Sequence, residues 1–156
     1  MGRTANPDRT PQGDLIDLDL HPILGYQVAQ AAVVTHAVFK RRVGDPEGVS
    51  KVEFCMLALI RRNPDVSAKQ LAQALAVTAP NVAMSLEKLE ARGWISRSRG
   101  TRDARVQHVR LTELGDEIVQ RCSAALREGE REAVKTLSPA EWAMLTELLH
   151  KLACSR

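Results

Sequence analysis

Apolar residues recur at steps of three and four along most of this chain, which is the spacing that places side chains on one face of an α-helix. The first such stretch covers about residues 22–42 and includes Leu24 and Val28. A second apolar set, with Ile23 and Val33, widens its apolar surface beyond a single stripe. We therefore expect this helix to be covered on more than one side, by its own domain or by another chain.

Three further helix starts are marked by a serine followed three positions later by Glu or Gln, the spacing of a capping box. These pairs are Ser50 with Glu53, Ser67 with Gln70, and Ser138 with Glu141. Glycine and proline at residues 44–48 predict that the first helix ends there, and Asn63-Pro64 predicts the end of the second. The chain is therefore expected to consist mainly of helices joined by short turns.

Two of the predicted helices are short and follow each other closely, as in a helix-turn-helix. The first begins after Ser67, and the second begins after Thr78 with a proline in its first turn. The apolar face of the second helix consists of Val82, Leu86 and Leu89. Its opposite face carries Asn81, Met84, Ser85 and Lys88. The second helix thus has the polar face that a recognition helix needs.

Residues 94–99 and 105–112 alternate between apolar and polar, and Gly100 opens the polar turn between them. This alternation predicts a β-hairpin. Val109 and Leu111 share one face of the pleat and are expected to pack on the recognition helix. A hairpin beside a helix-turn-helix makes a winged helix, so the predicted fold class is mainly α with a small β-hairpin wing.

Positive charge is concentrated in the predicted wing. The 156 residues carry a formal net charge of only +3, and 44% of them are apolar. Between Arg97 and Arg110, however, five arginines stand against one acid, Asp103, a net charge of +4. A local excess of this kind is the electrostatic footprint that phosphates select. The alternative is a pair of edge strands kept soluble by charge; the unequal mixture of signs favours DNA contact.

Other functional classes find little support in the sequence. No apolar run reaches the roughly 18 to 20 residues that cross a bilayer, and residues 1–14 have no apolar core that could act as a signal. The cysteines and histidines lack the spacing of a disulfide framework or a metal site. No nucleophile elbow, phosphate-binding loop or carboxylate pair indicates an enzyme. We therefore expect a cytoplasmic, non-catalytic protein without membrane segment, metal or cofactor.

Several short motifs follow one another in order from the helix-turn-helix into the helix after the hairpin. They are Leu71-Ala72, Leu75, Val77-Thr78-Ala79-Pro80-Asn81-Val82, Leu86 to Leu89, Gly93-Trp94-Ile95, Asp103-Ala104-Arg105 and Val109-Arg110-Leu111-Thr112-Glu113-Leu114-Gly115. In this order and spacing, over roughly Pro22 to Leu152, the chain resembles the MarR family of bacterial transcription regulators. One departure is Ala104, where many members carry a second basic residue. The resemblance implies a winged helix clamped between N- and C-terminal dimerisation helices.

This organisation gives each part of the chain an expected role. Residues 1–14 are predicted to be a disordered tail, and residues 15–156 a single unit. Within it the winged helix covers about 50–112, and the dimerisation helices cover about 22–42 and 113–153. The last helix has an apolar seam that needs a partner, formed by Trp142, Leu145, Leu149 and Leu152. We therefore expect a homodimer.

The expected partner is a double-stranded, pseudo-palindromic DNA operator, which the dimer would bind as a repressor. Asn81 and Ser85 lie one turn apart and are candidates for reading base edges, with Thr78 and Lys88 holding phosphates. The complete set of candidate DNA-binding residues is Thr78, Ala79, Asn81, Ser85, Lys88, Arg97, Arg99, Arg102 and Arg105. The alternative is a winged-helix adaptor that binds protein without an effector, for which an acidic or apolar wing would be expected.

Effectors of the family are commonly small aromatic acids or phenols, sometimes as thioesters, so the resemblance implies release from DNA by such a ligand. The candidate effector-binding residues are Tyr26, His36, Phe39, Lys40 and Cys55. A crevice between the first helix, the Cys55 helix and the winged helix would bring them together, although the first three also suit plain packing. Cys55 lies on an almost wholly apolar helix, which favours a core residue over the alternative of a redox sensor, because reactive thiols need exposure and nearby positive charge.

Overall fold

The computed structural model describes residues 8–99 and 107–155. The helices in this part of the chain are α1 (Leu24–Phe39), α2 (Asp45–Glu47), α3 (Lys51–Arg62), α4 (Ala68–Leu75), α5 (Ala79–Ala91), α6 (Glu113–Ala133) and α7 (Pro139–Ala153). The strands β1 (Val66–Ser67), β2 (Ile95–Arg99) and β3 (Gln107–Leu111) form an antiparallel sheet in the order β1-β3-β2. The predicted fold class, mainly helical with a small β wing, is confirmed.

The chain divides into two compact units. The first contains residues 8–38 and 128–155 of the described chain, and the second contains the residues between them. The predicted winged helix, about 50–112, falls within the second unit, whereas the predicted dimerisation helices, about 22–42 and 113–153, contribute to both. Over the described ranges, none of the helices is long and apolar enough to cross a membrane.

All three predicted capping boxes are present, and they fix where α3, α4 and α7 begin. In α3 the Ser50 hydroxyl accepts from the Glu53 amide at 3.2 Å, while the Ser50 amide donates to Glu53 Oε2 at 2.7 Å. Each box satisfies amides that a helix N-terminus leaves without intrahelical partners, and a cap contributes about 1 kcal/mol. The predicted end of α3 at Asn63 is also confirmed.

The connection between α1 and α3 differs from the prediction. Residues 44–48 were expected to break the helix, but a π-helical turn at Lys40–Gly44 and the short helix α2 continue the helical path to Glu47. Pro46 is tolerated because it lies in the first turn of α2, where its missing N–H would have no helical partner. The helix ends only at Gly48, whose φ of +61° is a left-handed conformation that costs glycine least.

The sheet has one strand more than the predicted hairpin. Strand β1 consists of Val66 and Ser67, which pair with Val109 and His108 of β3. Two residues are too few to show the alternation that identifies a strand in a sequence. Because β1 occupies the free edge of β3, it attaches the wing to the connection between α3 and α4.

Apolar side chains from α3 to α6 and from the sheet form the core of the second unit. Its most completely buried members are Met56, Leu57, Ile60, Leu71, Val82, Leu86, Leu89, Val109, Val119 and Cys122. The predicted apolar face of α5 is therefore confirmed at all three positions. Burial of such a side chain contributes about 1.5 to 3 kcal/mol, so this core fixes which face α5 turns outward.

The first unit leaves many large apolar side chains exposed. Those on α1 and α7 are Leu24, Val28, Val33, Val34, Met144, Leu145, Leu148, Leu149 and Leu152. A groove of about 370 Å³ between α1, the end of α6 and α7 is lined mainly by apolar side chains, among them Val34, Trp142 and Leu149. Of the seam predicted on the last helix, Leu145, Leu149 and Leu152 are thus exposed in a single chain, and Trp142 is half-buried.

Part of the predicted tail has local structure. Arg9 and Ile16 form an isolated antiparallel bridge, and the Thr10 amide donates to the Leu15 carbonyl at 2.9 Å. A tight turn of this kind does not depend on regularly spaced apolar residues. The hydropathy pattern therefore does not reveal it and predicts a disordered tail over residues 1–14. Residues 1–7 of that prediction lie outside the described residues.

Candidate nucleic-acid interface

Helices α4 and α5 are joined by a short turn with a left-handed residue at its start. Ala76 has φ +53°, and the Val77 amide donates to the Ala72 carbonyl at 3.1 Å, which closes the end of α4. Thr78 is the N-cap residue of α5 and has extended backbone angles. Within residues 8–99 and 107–155 its exposed hydroxyl makes no capping hydrogen bond. The hydroxyl is therefore free to meet a ligand at the start of α5.

The outward face of α5 carries the predicted base-reading residues with unequal exposure. Asn81 is exposed one turn into the helix, whereas Ser85 is only half-buried. Ala79 is exposed in the first turn. Met84, which the sequence places on the same face without assigning it a role, is 52% exposed. Asn81 and Met84 are therefore both accessible on the outward face of the helix.

Lys88 lies on the same side of α5, one turn after Met84. Its ammonium is 3.8 Å from Glu53 Oε1 on α3, while its side chain remains 64% exposed. The Glu53 carboxylate is only 10% exposed, whereas the Lys88 side chain lies at the surface. Lys88 is therefore accessible to a phosphate oxygen, in keeping with its predicted phosphate contact, at the cost of its long contact with Glu53.

Arg97, a predicted DNA contact, is bound to a carboxylate of its own chain. Its Nε donates to Glu90 Oε2 at 2.7 Å, and its Nη2 contacts the same oxygen. The guanidinium holds the pKa of the Glu90 carboxyl below its ordinary value, chiefly through this hydrogen bond. The pair connects the end of α5 to β2, so it fixes the wing against the recognition helix.

Arg110 is bound in the same way on the other strand of the wing. Its Nε and Nη2 donate to the two oxygens of Asp65 at 2.6 Å each. The Asp65 carbonyl accepts from His108 Nδ1, also at 2.6 Å. Asp65 has φ +66° and directly precedes β1. The turn after α3 is therefore clamped to β3 by both its side chain and its backbone.

These two ion pairs change the electrostatic picture of the wing. The sequence shows five arginines and one acid, but with Glu90 and Asp65 included the net charge of the group falls from +4 to +2. Asp65 lies 45 residues from its partner, so a count along the chain does not reveal the pairing. Of the other candidates, Arg99 belongs to β2, and Arg102 and Arg105 lie outside the described residues.

A close approach at the start of α6 holds the base of the wing. The Thr112 amide donates to the Trp94 carbonyl at 3.1 Å, and the Thr112 hydroxyl donates to the Gly93 carbonyl at 2.7 Å. A Cβ on Gly115 would lie 1.9 Å from the Trp94 carbonyl oxygen. Only glycine permits this contact. The sequence motif contains Gly115, but nothing in hydropathy shows that the Trp94 carbonyl faces it.

The candidate effector-binding residues fall in both units. Tyr26 and His36 belong to the first, and Phe39, Lys40 and Cys55 to the second. The Tyr26 hydroxyl donates to Asp17 Oδ2 at 3.1 Å, and the His36 ring donates to the Ala32 carbonyl at 3.0 Å. Lys40 Nζ lies 2.6 Å from both Asp45 oxygens. The polar groups of Tyr26, His36 and Lys40 thus each have a partner in their own chain. A ligand site shared by the five candidate residues stays a prediction.

Of these residues, Phe39 contributes to packing and Cys55 carries a thiol of low reactivity. Phe39 is 7% exposed and packs against Phe54 with ring centroids 6.0 Å apart. Cys55 is partly buried, and burial raises the pKa of its thiol. A raised pKa lowers the fraction of reactive thiolate. Among the described residues no three His, Cys, Asp or Glu side chains are grouped as metal ligands.

A short helix, a tight turn and a helix with an exposed polar face, followed by a β wing, define a winged helix-turn-helix protein. Residues 47–106 match the model of the MarR family. Over 151 residues the chain is 27% identical to a Thauera aromatica protein named as a transcriptional regulatory protein for the hcr operon, and the match covers 97% of this chain and 89% of the relative.

Solved structures agree with this assignment. A mutant of MarR from E. coli in complex with operator DNA is 25% identical, has a TM-score of 0.74, and matches 87% of this chain and 98% of its own. A MarR family protein from Mycobacterium tuberculosis in complex with p-aminosalicylic acid has the same fold, with a TM-score of 0.68, 24% identity and coverage of 83% and 98%. In its fold and in the sequence of its winged helix-turn-helix region, the chain is similar to the MarR family of DNA-binding transcriptional regulators, which are not enzymes.

Proposed function

We propose that the protein is a homodimeric repressor that binds a pseudo-palindromic operator and is released from it by a small aromatic or phenolic effector. The observation that carries the proposal is the outward face of α5, where Thr78, Asn81 and Lys88 are exposed beside the wing. Two such helices related by a dimer axis would enter successive major grooves about 34 to 36 Å apart. The wing arginines, among them Arg99, Arg102 and Arg105, would contact the backbone or minor groove.

The exposed apolar side chains of the first unit support the dimer. Each large side chain moved out of water by a partner would contribute about 1.5 to 3 kcal/mol, and α1 and α7 together expose nine of them. Phe39 is not part of this surface, since it is buried within the second unit. The uncovered groove between α1 and α7 gives a second copy a concave surface to fill.

The fold of a relative that binds p-aminosalicylic acid supports an aromatic effector. The candidate contacts on this chain are Tyr26, His36, Phe39, Lys40 and Cys55, and a ligand would exchange the partners of the polar members for its own groups. A redox-responsive regulator using Cys55 is disfavoured, because burial raises the pKa of that thiol. An effector can release DNA with a coupling of only about 1 to 3 kcal/mol.

Selection of bound fragments from genomic DNA tests the proposal in two steps. The protein should enrich fragments that share an inverted repeat, and fluorescence anisotropy should then give their dissociation constants. A panel of aromatic acids and phenols beginning with p-aminosalicylic acid should weaken binding to those fragments. Enrichment without any response to the panel would support a constitutive repressor. A protein that enriches no sequence would contradict operator binding and favour the adaptor.

A further inference from the structure

The second unit, which contains the winged helix, hides the large apolar side chains of its described residues with two exceptions. Among its described residues, Met84 is 52% exposed and Leu114 is 48% exposed, while the other large apolar side chains are buried or half-buried. Leu114 is in the first turn of α6. Met84 is in the middle of α5, and its neighbours on the outward face, Asn81 and Lys88, are polar. A ligand that covers this thioether side chain would gain free energy, because it would remove apolar surface from water.

The position of Met84 on α5 is set by the buried face of the helix. It lies two residues after Val82 and two before Leu86, both of which are almost completely buried. Because two residues turn an α-helix by roughly 200°, Met84 points away from the core that these side chains join. Asn81 precedes it by three positions and Lys88 follows it by four, so all three share one face. A groove that receives Asn81 and Lys88 must also receive Met84.

The major groove of DNA offers one apolar group to such a side chain. Each base pair presents donors and acceptors there, and thymine alone adds a C5-methyl group. A methionine side chain is flexible and apolar and makes no strong hydrogen bond, so it gains nothing from the polar edges but gains from covering a methyl group. Ser85, the neighbouring candidate, is half-buried and less able to reach the groove.

We infer that Met84 is a specificity-determining residue that selects thymine by contact with its C5-methyl group. This inference rests on the proposed recognition of an operator by α5. It adds a position at which sequence is read through an apolar contact, beside the hydrogen bonding expected of Asn81. The operator should therefore contain thymines whose methyl groups, and not only their pairing, affect affinity.

Replacement of thymine by deoxyuridine removes the methyl group and leaves base pairing unchanged, so it isolates this contact. The wild-type protein would first select a duplex from a random pool. A set of duplexes of that sequence would then be made, each with deoxyuridine at a different thymine position. At the contacted thymine the wild-type dissociation constant should rise about three- to fivefold, the loss expected for one apolar carbon. Met84→Gln, which keeps the length and helix propensity of the side chain, should bind the thymine and deoxyuridine duplexes equally.

Leu114→Gln is the matched control, since it also replaces an exposed apolar residue of the same unit but on α6. It should keep the full response of the wild type to deoxyuridine. The inference is overturned if the wild-type protein prefers its selected sequence but ignores every deoxyuridine, or if Met84→Gln retains the wild-type response. If the wild-type protein selects no sequence at all, the proposed operator recognition fails first and this inference falls with it.

Discussion

Replacement of Gly115 by alanine is the sharpest test of how the wing is held to the helices. The new Cβ would lie 1.9 Å from the Trp94 carbonyl oxygen and 3.3 Å from Leu111 Cδ2. Real Cβ atoms do not come within 3.0 Å of such an atom, so α6 or the backbone of Trp94 must move by roughly 1 Å. The same carbonyl accepts the Thr112 amide at 3.1 Å. The movement therefore strains or breaks that hydrogen bond.

The cost follows from three effects. Overpacking against backbone costs about 1 to 3 kcal/mol, and loss of the Thr112 hydrogen bond costs about 1 kcal/mol. The higher helix propensity of alanine returns at most about 1 kcal/mol. The net loss of unfolding free energy is thus about 2 kcal/mol. For a chain of this size that lowers the Tm by about 4 to 8 °C.

Thermal unfolding followed by circular dichroism measures this loss. Gly25→Ala is the matched control, because Gly25 is also helical and nothing lies within 4 Å of its would-be Cβ. Its Tm should equal or exceed that of the wild type, since alanine is the better helix former. A Tm for Gly115→Ala at or above the wild-type value would refute the close packing of α6 on the start of the wing.

Three further predictions concern assembly, DNA and pH. Sedimentation at micromolar concentration should show a dimer, and a stable, soluble monomer would contradict the covering of α1 and α7 by a second copy. Arg102→Ala should weaken operator and random DNA alike and reduce the salt slope by about one unit, as anisotropy across a salt series would show; an unchanged slope would exclude a phosphate contact. Asp65→Asn should lower the Tm at neutral pH by breaking the pair with Arg110. In the folded protein the pKa of the Asp65 carboxyl is lowered. The difference in Tm between the wild type and Asp65→Asn should therefore be complete above the unfolded pKa of about 3.9 and should shrink as the pH falls through the lower folded pKa. A Tm difference that persists at such low pH would exclude the ion pair as its cause.

The elements with strong local signals were predictable from the sequence. The capping boxes at Ser50, Ser67 and Ser138 place three helix starts, because a cap depends only on residues three positions apart. The buried face of α5 follows from period alone. The glycine that ends a helix was harder to place, since only Gly48 has a left-handed φ among the glycines at residues 44–48.

The features that depend on distant residues were not predictable. Glu90 and Asp65 neutralise two wing arginines, but Asp65 meets Arg110 only because β1 pairs with β3. The contact that requires Gly115 likewise depends on where the Trp94 carbonyl points. Hydropathy identifies the outward face of α5, but the accessibility of Met84 and the partial burial of Ser85 depend on what packs beside the helix. A single sequence contains no direct record of such neighbours.

Asn81→Ala tests most directly whether the outward face of α5 reads an operator. Fluorescence anisotropy would compare the wild-type and variant proteins on the selected operator and on a random duplex at one salt concentration. The wild-type protein should bind the operator at least about 10³-fold more tightly than random DNA. The variant should lose about 1 to 3 kcal/mol on the operator and much less on random DNA, with an unchanged Tm. Unchanged operator affinity in Asn81→Ala would contradict the placement of the DNA-reading surface.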